Sequence, residues 1–505
     1  MRNWVLLILL GLFAYVALSR GVARLTRIPW WILWTVVMFP PVVLVVLDDV
    51  FQQEPDLGLM LLLFATSYIA TAVLLRRGRL TPPSVSRSPA SKPSNTDSQT
   101  NPELNSPSSL ESSLVDHQPI SDIPREKLRG CFPWTIFYLQ NMEYRPQAII
   151  CRGNLRVQAD EAYERVRTNV ENLFGQRFLV VLQEGFAGKP FFALVPNPAA
   201  RRSEADKTAR REQPALASIL LVATGLAMLI AGAMVRGVAP EDLPNAPWQV
   251  LAGWPYAVAL GAILTAQEGG RHWAARRHHI PISLPYFIPV PFAFGTFGAL
   301  VRLRAPVPHR KALFDMAIAG PLASLLVALP LLIWGLTQSQ VVPFPTGEEA
   351  GRLLLLQQFD PTMSILLAIA SKIALGSALE PSTVIQFHPA AAAGWLGLLV
   401  LALNLMPIGQ LDGGHIAHAV YGQQMGANIG RVARLLVLIL AFTVQPWLMV
   451  WALLLCLLSS GDEPALNDVS DLSEGRDLLG LFMLTLVAIV VLPAPPFLRA
   501  LLGLM

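Results

Sequence analysis

Apolar residues in this chain come in long runs separated by short polar stretches. Runs near 4–19, 29–47, 57–75, 216–235, 250–272, 313–335, 391–408, 433–458 and 477–494 approach the ~20 residues that cross a bilayer. They predict about nine transmembrane helices. A further apolar stretch, 363–376, is interrupted by Ser371 and Lys372 and reads as interfacial or re-entrant. The first run resembles a signal peptide, but no small-residue cleavage site follows it. Arg20, Arg24 and Arg27 come next, so it reads as a retained helix. Two stretches break the pattern. Residues 79–124 are rich in Ser and Pro and too polar to offset their ordering entropy, which predicts a disordered linker. Residues 125–200 alternate differently: strand-like 147–152, an amphipathic helix near 158–174, and strand-like 177–183 and 190–195, with Gly175 as a helix C-cap. They predict a small soluble α/β domain. It is set between an N-terminal three-helix membrane region (1–78) and, after a basic linker (201–213), a membrane core (214–505).

Composition agrees with the pattern. The 505 residues are 53% hydrophobic and only 14% charged, against roughly 25% charged in soluble domains. The fold class expected is therefore a polytopic α-helical membrane protein with an inserted α/β domain. A net charge of +4 gives no reason to expect nucleic acid as a partner; the lipid bilayer is the expected surroundings. Cys131, Cys151 and Cys456 are too few and too scattered for a disulfide framework or a Cys-based metal site. Charge along the loops orients the chain. Loop 20–28 and residues 76–79 are basic, loops 48–56, 237–249 and 461–476 are acidic, and 271–311 is Arg-rich. By the positive-inside rule the N-terminus lies outside, and the α/β domain lies on the cytoplasmic or stromal side.

The chemistry gathers in two places. Segment 388–415 is an apolar helix ending in Asn404, Pro407, Asp412, Gly413, Gly414 and His415. An ionisable Asp at the end of a span marks a functional site, and a broken helix is tolerated where backbone lines a protected cavity. The second place is Gln267-Glu268-Gly269-Gly270-Arg271, near the end of the 250–272 run.

The Asn404-x-x-Pro407-x-x-x-Leu411-Asp412-Gly413 pattern resembles the motif of the site-2 protease family of intramembrane zinc metalloproteases. The resemblance extends through Pro281–Pro291, Gly295-Thr296-Phe297-Gly298 and Arg310–Asp315 to Ala319-Gly320-Pro321, over roughly residues 215–495. Gly153-Asn154-Leu155-Arg156 is similar to an element of the chloroplast EGY branch and its cyanobacterial relatives. The resemblance implies a site-2 protease membrane core and a thylakoid or plasma membrane. It implies Asp412 as third zinc ligand and Asn404 as a residue that positions substrate. It also implies a groove at Gly295, Phe297 and Gly298 that accepts substrate as an added strand.

One departure decides the activity. Such a family carries His-Glu-x-x-His, two imidazoles on one helix face with the Glu as general base. Here Glu268 remains, but Gln267 and Arg271 stand at the two ligand positions. Zinc, the family's cofactor, thus loses two of its three ligands. Glu268 reads as a relic paired with Arg271 at i, i+3. His272 and His415 are the candidate substitute ligands, and His278, His279, His388 and His418 lie nearby in sequence. Two readings follow. In the first, the chain is a zinc-motif-deficient, non-proteolytic homologue that binds membrane-protein clients. In the alternative it is an active metalloprotease with non-standard ligands, cleaving transmembrane substrates with Glu268 as base. A transporter is a weaker third reading, because no internal repeat is evident.

Overall fold

The computed structural model describes residues 11, 29–49, 63, 67, 70, 125–145, 148–185, 188–197, 214–239, 242–243, 245–290, 295–301, 303–343, 358–379, 383–445, 448–449, 451–452, 455 and 464–504. The chain divides into two compact units, residues 1–119 with 434–458 and residues 120–433 with 459–505. The first unit contains helix α1 (Trp30–Asp49). Its Trp34 indole N–H donates to the Gly11 carbonyl at 2.8 Å, and its Val36 carbonyl accepts from the Ser67 hydroxyl at 2.7 Å. These bonds satisfy polar groups in an otherwise apolar packing.

The second unit begins with α2 (Arg125–Gly130), β1 (Phe137–Arg145), β2 (Ala148–Leu155), α3 (Ala159–Phe174), β3 (Phe178–Glu184) and β4 (Pro190–Pro196). The strands form an antiparallel sheet in the order β1-β2-β4-β3. Helix α3 covers one face. Its Ala162, Tyr163, Val166 and Val170 are buried on a single helical stripe. They meet Phe137, Ile149, Cys151, Val180, Leu182 and Phe192 from alternate strand positions. Each large apolar side chain buried this way contributes about 1.5–3 kcal/mol. Gly175, with φ 60°, ends α3.

The rest of the unit holds α4 (Pro214–Val235), α5 (Trp254–Arg277), the antiparallel hairpin β5 (Tyr286–Val290) and β6 (Gly295–Leu300), and α6 (Arg310–Thr337). A small sheet follows from β7 (Gln340–Pro343), β8 (Gln358–Phe359) and β9 (Thr383–Gln386), in the order β7-β9-β8. The remaining helices are α7 (Ile365–Leu375), α8 (Pro389–Asn404), α9 (Asp412–Tyr421), α10 (Gln423–Thr443, whose residues from 434 on belong to the first unit), α11 (Glu474–Val491) and α12 (Pro496–Leu502). Helix α8 is apolar all round and buried from Pro389 to Leu399, as a helix without a polar face must be. It packs with α5 and α6 at the centre of the unit.

Residues 464–470 link the sheet to the helices. The Leu182 N–H donates to the Leu466 carbonyl (2.7 Å), and the Asp468 N–H donates to the Leu182 carbonyl (2.9 Å). On its other side the same segment pairs with residues 307–310, the lead-in to α6. The outer edge of β3 is therefore occupied by the chain itself. Asp160, at the start of α3, accepts bonds from Lys311 Nζ (3.0 Å), Asn467 Nδ2 (3.1 Å) and the Ser470 hydroxyl.

Among the described residues, four helices are long and apolar enough to cross a membrane: Pro214–Val235, Pro247–Arg277, Arg310–Thr337 and Gln423–Thr443. The pair α11–α12 makes a fifth if counted as one span, bent by 80° where Pro493, Pro495 and Pro496 interrupt it. The runs predicted near 4–19 and 57–75 and the linkers 79–124 and 201–213 lie almost wholly outside the described residues. Two predicted spans differ in extent. The 391–408 run forms a 16-residue helix, because Pro407 and its neighbours turn the chain. The first part of the 433–458 run belongs to a helix that begins at Gln423 and extends to Thr443, and most of the rest of that run lies outside the described residues. The 363–376 stretch is an 11-residue helix.

His309 caps α6: its Nδ1 accepts the Ala312 N–H at 3.0 Å. Burial, helped by the neighbouring His278, holds the His309 pKa below its ordinary 6.5. A depressed group of this kind contributes stability that is present above the unfolded value and lost as pH falls through the folded one. Thermal unfolding of the detergent-purified protein should therefore shift downward on acidification below about pH 6.5. His309→Ser, which keeps an acceptor at the cap, should flatten that part of the profile.

Candidate functional site

The C-terminal part of α5 carries Gln267, Glu268, Arg271 and His272 within its last three turns. Glu268 and Arg271 are three residues apart and share a face. Asp412 is the first residue of α9, where unsatisfied N–H groups and the helix dipole favour a carboxylate. The chain reaches that position by a tight turn after Asn404, through Pro407 and Gly409 (φ 56°). Gly413 lies so close beneath the Leu405 carbonyl that a Cβ there would collide with it. The glycine after the aspartate is thus a packing requirement of the turn.

The structure joins these two helix ends through one guanidinium. Arg271 Nη1 donates to Glu268 Oε1 at 2.9 Å, and Nη2 donates to Asp412 Oδ2 at 2.8 Å. The three side chains are 16%, 8% and 14% exposed, so little water screens them. Glu268 Oε2 is buried with no hydrogen-bond partner among the described residues.

The other predicted residues fall around this bridge. Gln267 is buried beside Gly320 of α6, and its side chain takes no part in the bridge. His272 Nδ1 lies 2.9 Å from the Glu268 carbonyl, bonded back onto its own helix. His415 sits one turn into α9, half-buried, and Asn404 closes α8, half-buried. Gly295, Phe297 and Gly298 lie on β6, whose glycines take φ of 86° and 94°. That hairpin packs on α4, and no described hydrogen bond or ion pair joins it to Glu268, Arg271 or Asp412.

Two of the histidines that lie near the candidate ligands in sequence, His278 and His418, have specific partners. His278 Nε2 meets Asp315 Oδ2 at 3.0 Å, and Arg476 grips the same carboxylate with two bonds. His418, 2% exposed, lies 3.0 Å from both oxygens of Asp468. Sequence spacing gave no sign of either pair, since the partners lie 37 and 50 residues away.

Among the described residues no three His, Cys, Asp or Glu side chains converge to hold a metal. The donor set explains this. Zinc needs deprotonated lone-pair donors, and here one of the three groups is a guanidinium, which stays charged and offers no lone pair. The residues present do not fit zinc.

Removing the cation should expose its importance. Arg271→Met would leave two buried carboxylates without compensation and should destabilise the protein by ~3–5 kcal/mol. Glu268→Gln or Asp412→Asn added to it should recover part of the loss. Thermal or denaturant unfolding of the single and double variants checks this, and equal stability of wild type and Arg271→Met would refute the bridge.

A family model described as Peptidase family M50 matches residues 255–444, and one described as EGY3 middle domain matches 126–202. The chain is 29% identical over 373 residues to "Probable zinc metalloprotease EGY2, chloroplastic" of Oryza sativa subsp. indica, covering 72% of this chain and 65% of the relative. It is 29% identical over 380 residues to the Arabidopsis thaliana protein of the same name, covering 74% and 66%. To "Probable zinc metallopeptidase EGY3, chloroplastic" of Arabidopsis thaliana it is 26% identical over 372 residues, covering 71% and 63%. The chain spans just under two thirds of the length of these relatives. No solved structure matches it. One match lies over the Glu268–Arg271–Asp412 bridge and the other over the α3-covered sheet, so over both parts the chain is similar to EGY-type members of the site-2 protease family.

Proposed function

We propose that this protein binds segments of other membrane proteins without cleaving them. The observation that carries this reading is the Arg271 guanidinium between Glu268 and Asp412. By the family resemblance those carboxylates would be a general base and a metal ligand. Here each is engaged by a cation that cannot give up its proton. Glu268 Oε1 is committed to Arg271 and is a poor base for activating water. The orphaned Oε2 remains an acceptor, and a buried acceptor costs free energy until something donates to it. A backbone N–H of a client segment, locally unwound, would meet that need. The β5–β6 hairpin with Gly295, Phe297 and Gly298 would receive the same segment as an added strand. The relatives' names say chloroplastic, which supports a chloroplast membrane as the setting.

The metal content of the purified protein tests this. Wild type and Asp412→Ala should both carry no stoichiometric zinc. The double variant Gln267→His/Arg271→His restores the two imidazoles at i and i+4 and should gain about one zinc per chain, lost again on adding Asp412→Ala. One zinc in the wild type, removed by Asp412→Ala, would refute the reading and establish a substitute ligand set. Cleavage of a transmembrane substrate by the wild type that stops in Glu268→Gln would refute it equally.

A further inference from the structure

The Gly153-Asn154-Leu155-Arg156 element lies far in sequence from the bridged site and needs its own account. Two of its four residues serve the fold. A Cβ on Gly153 would strike the Phe137 ring and the Tyr138 carbonyl, so only glycine lets β1 and β2 approach there. Leu155 packs against the core of the sheet. Asn154 and Arg156 do neither, and both are exposed.

Arg156 is nonetheless held in place. Its guanidinium lies 5.8 Å from the Trp134 ring centroid and 5.6 Å from that of Tyr138. Trp134 is 69% exposed and Tyr138 49%. Among the described residues Arg156 makes no ion pair, so its charge is oriented by aromatic rings and is not neutralised. Leaving a tryptophan, a tyrosine and an arginine together on a surface is costly for solubility and is the composition of interface hot spots.

The neighbouring residues give the patch its sign. Tyr138 faces Asn154 across the β1–β2 ladder. Arg152, on the same side of β2, and Arg145, on β1, share one carboxylate, Glu143, at 3.7 and 3.0 Å. Two arginines thus share one glutamate, and Arg156 adds a third positive charge that it does not balance. Ile150 and Phe191, half-buried on the strand positions that alternate with the core, continue the face as apolar surface.

The sheet edges are not the docking element. The β3 edge is taken by residues 464–468. The β1 edge carries a register shift between Leu139 and Asn141, and a bulge of this kind opposes strand addition. What remains is the side-chain face. We propose that Trp134, Tyr138, Asn154, Arg152 and Arg156 form a docking surface for an acidic peptide. The planar guanidinium, fixed by the two rings, presents its N–H fork to a carboxylate. The Asn154 amide offers one donor group and one acceptor, which matches a peptide backbone and has no counterpart in a lipid phosphate. Ile150 and Phe191 receive aliphatic side chains. This surface is independent of the reading of the Arg271 site.

The test uses the full chain in detergent and a fluorescein-labelled peptide alternating Glu and Leu, with its Gln–Leu counterpart, followed by anisotropy. The Glu–Leu peptide should bind and the Gln–Leu peptide should bind about tenfold more weakly or worse. Arg156→Gln should weaken binding about tenfold, and Arg156→Lys nearly as much, because lysine has neither the fork nor the flat face. Arg165→Gln, on exposed α3, should leave binding unchanged. Because Arg156 is exposed, its variants should unfold at the wild-type temperature, so a loss of binding cannot be ascribed to misfolding. Absence of Glu–Leu binding, or undiminished binding by Arg156→Gln, would overturn the proposal. So would Arg156-dependent binding to phosphatidylglycerol vesicles with no preference between the peptides, which would make this a lipid surface.

Discussion

The candidate site depends on one cation buried against two carboxylates. Glu268 and Asp412 approach each other where α5 and α9 end and begin, in surroundings that expel water. Two negative charges held that way require a positive partner, and a partner removed from such a set is far more damaging than a pair exchanged whole. In this chain the partner is covalently attached. The Arg271 side chain bridges two helices whose contacting residues are 141 positions apart, so the charge constraint also positions the helices.

Occupancy of the bridge sets the chemistry. A guanidinium and a dication can both satisfy two carboxylates, but only the dication can take up and polarise a water. Under the proposed non-proteolytic function, the same geometry that ties α5 to α9 would also displace the group that hydrolysis needs. Gln267, neutral and buried, adds no charge to the cluster.

A second polar network carries the order outward. Asp468 meets His418 on α9, six positions after Asp412, while the backbone of its segment pairs with β3 on one side and with the start of α6 on the other. Asp160 adds three bonds from Lys311, Asn467 and Ser470. Burial alone would raise the Asp160 pKa, but the bonds from Ser470 and Lys311, with the Lys311 charge, hold it below the ordinary carboxylate range. The sheet and the helix bearing Asp412 are thus tied to one short segment, with most of its polar groups satisfied.

Local periodicity made much of this legible. The apolar runs at 216–235, 250–272 and 313–335, helix α3 with its Gly175 stop, and strands β2, β3 and β4 follow from 3.6- and 2-residue patterns, because those patterns record which face a residue buries. Strand β1 was not legible. Its bulge shifts the alternation, and Gln140, Asn141 and Glu143 hide it among polar positions. The motif residues Glu268, Arg271 and Asp412 could be singled out from the sequence, and so could the loss of both histidines, since identity and spacing are one-dimensional facts. That Arg271 reaches Asp412, that His418 finds Asp468, and that Arg156 rests between Trp134 and Tyr138 were decided only by the tertiary structure. Charge pairing and ring stacking depend on distance in space, and no local pattern encodes which distant side chain will close a buried charge.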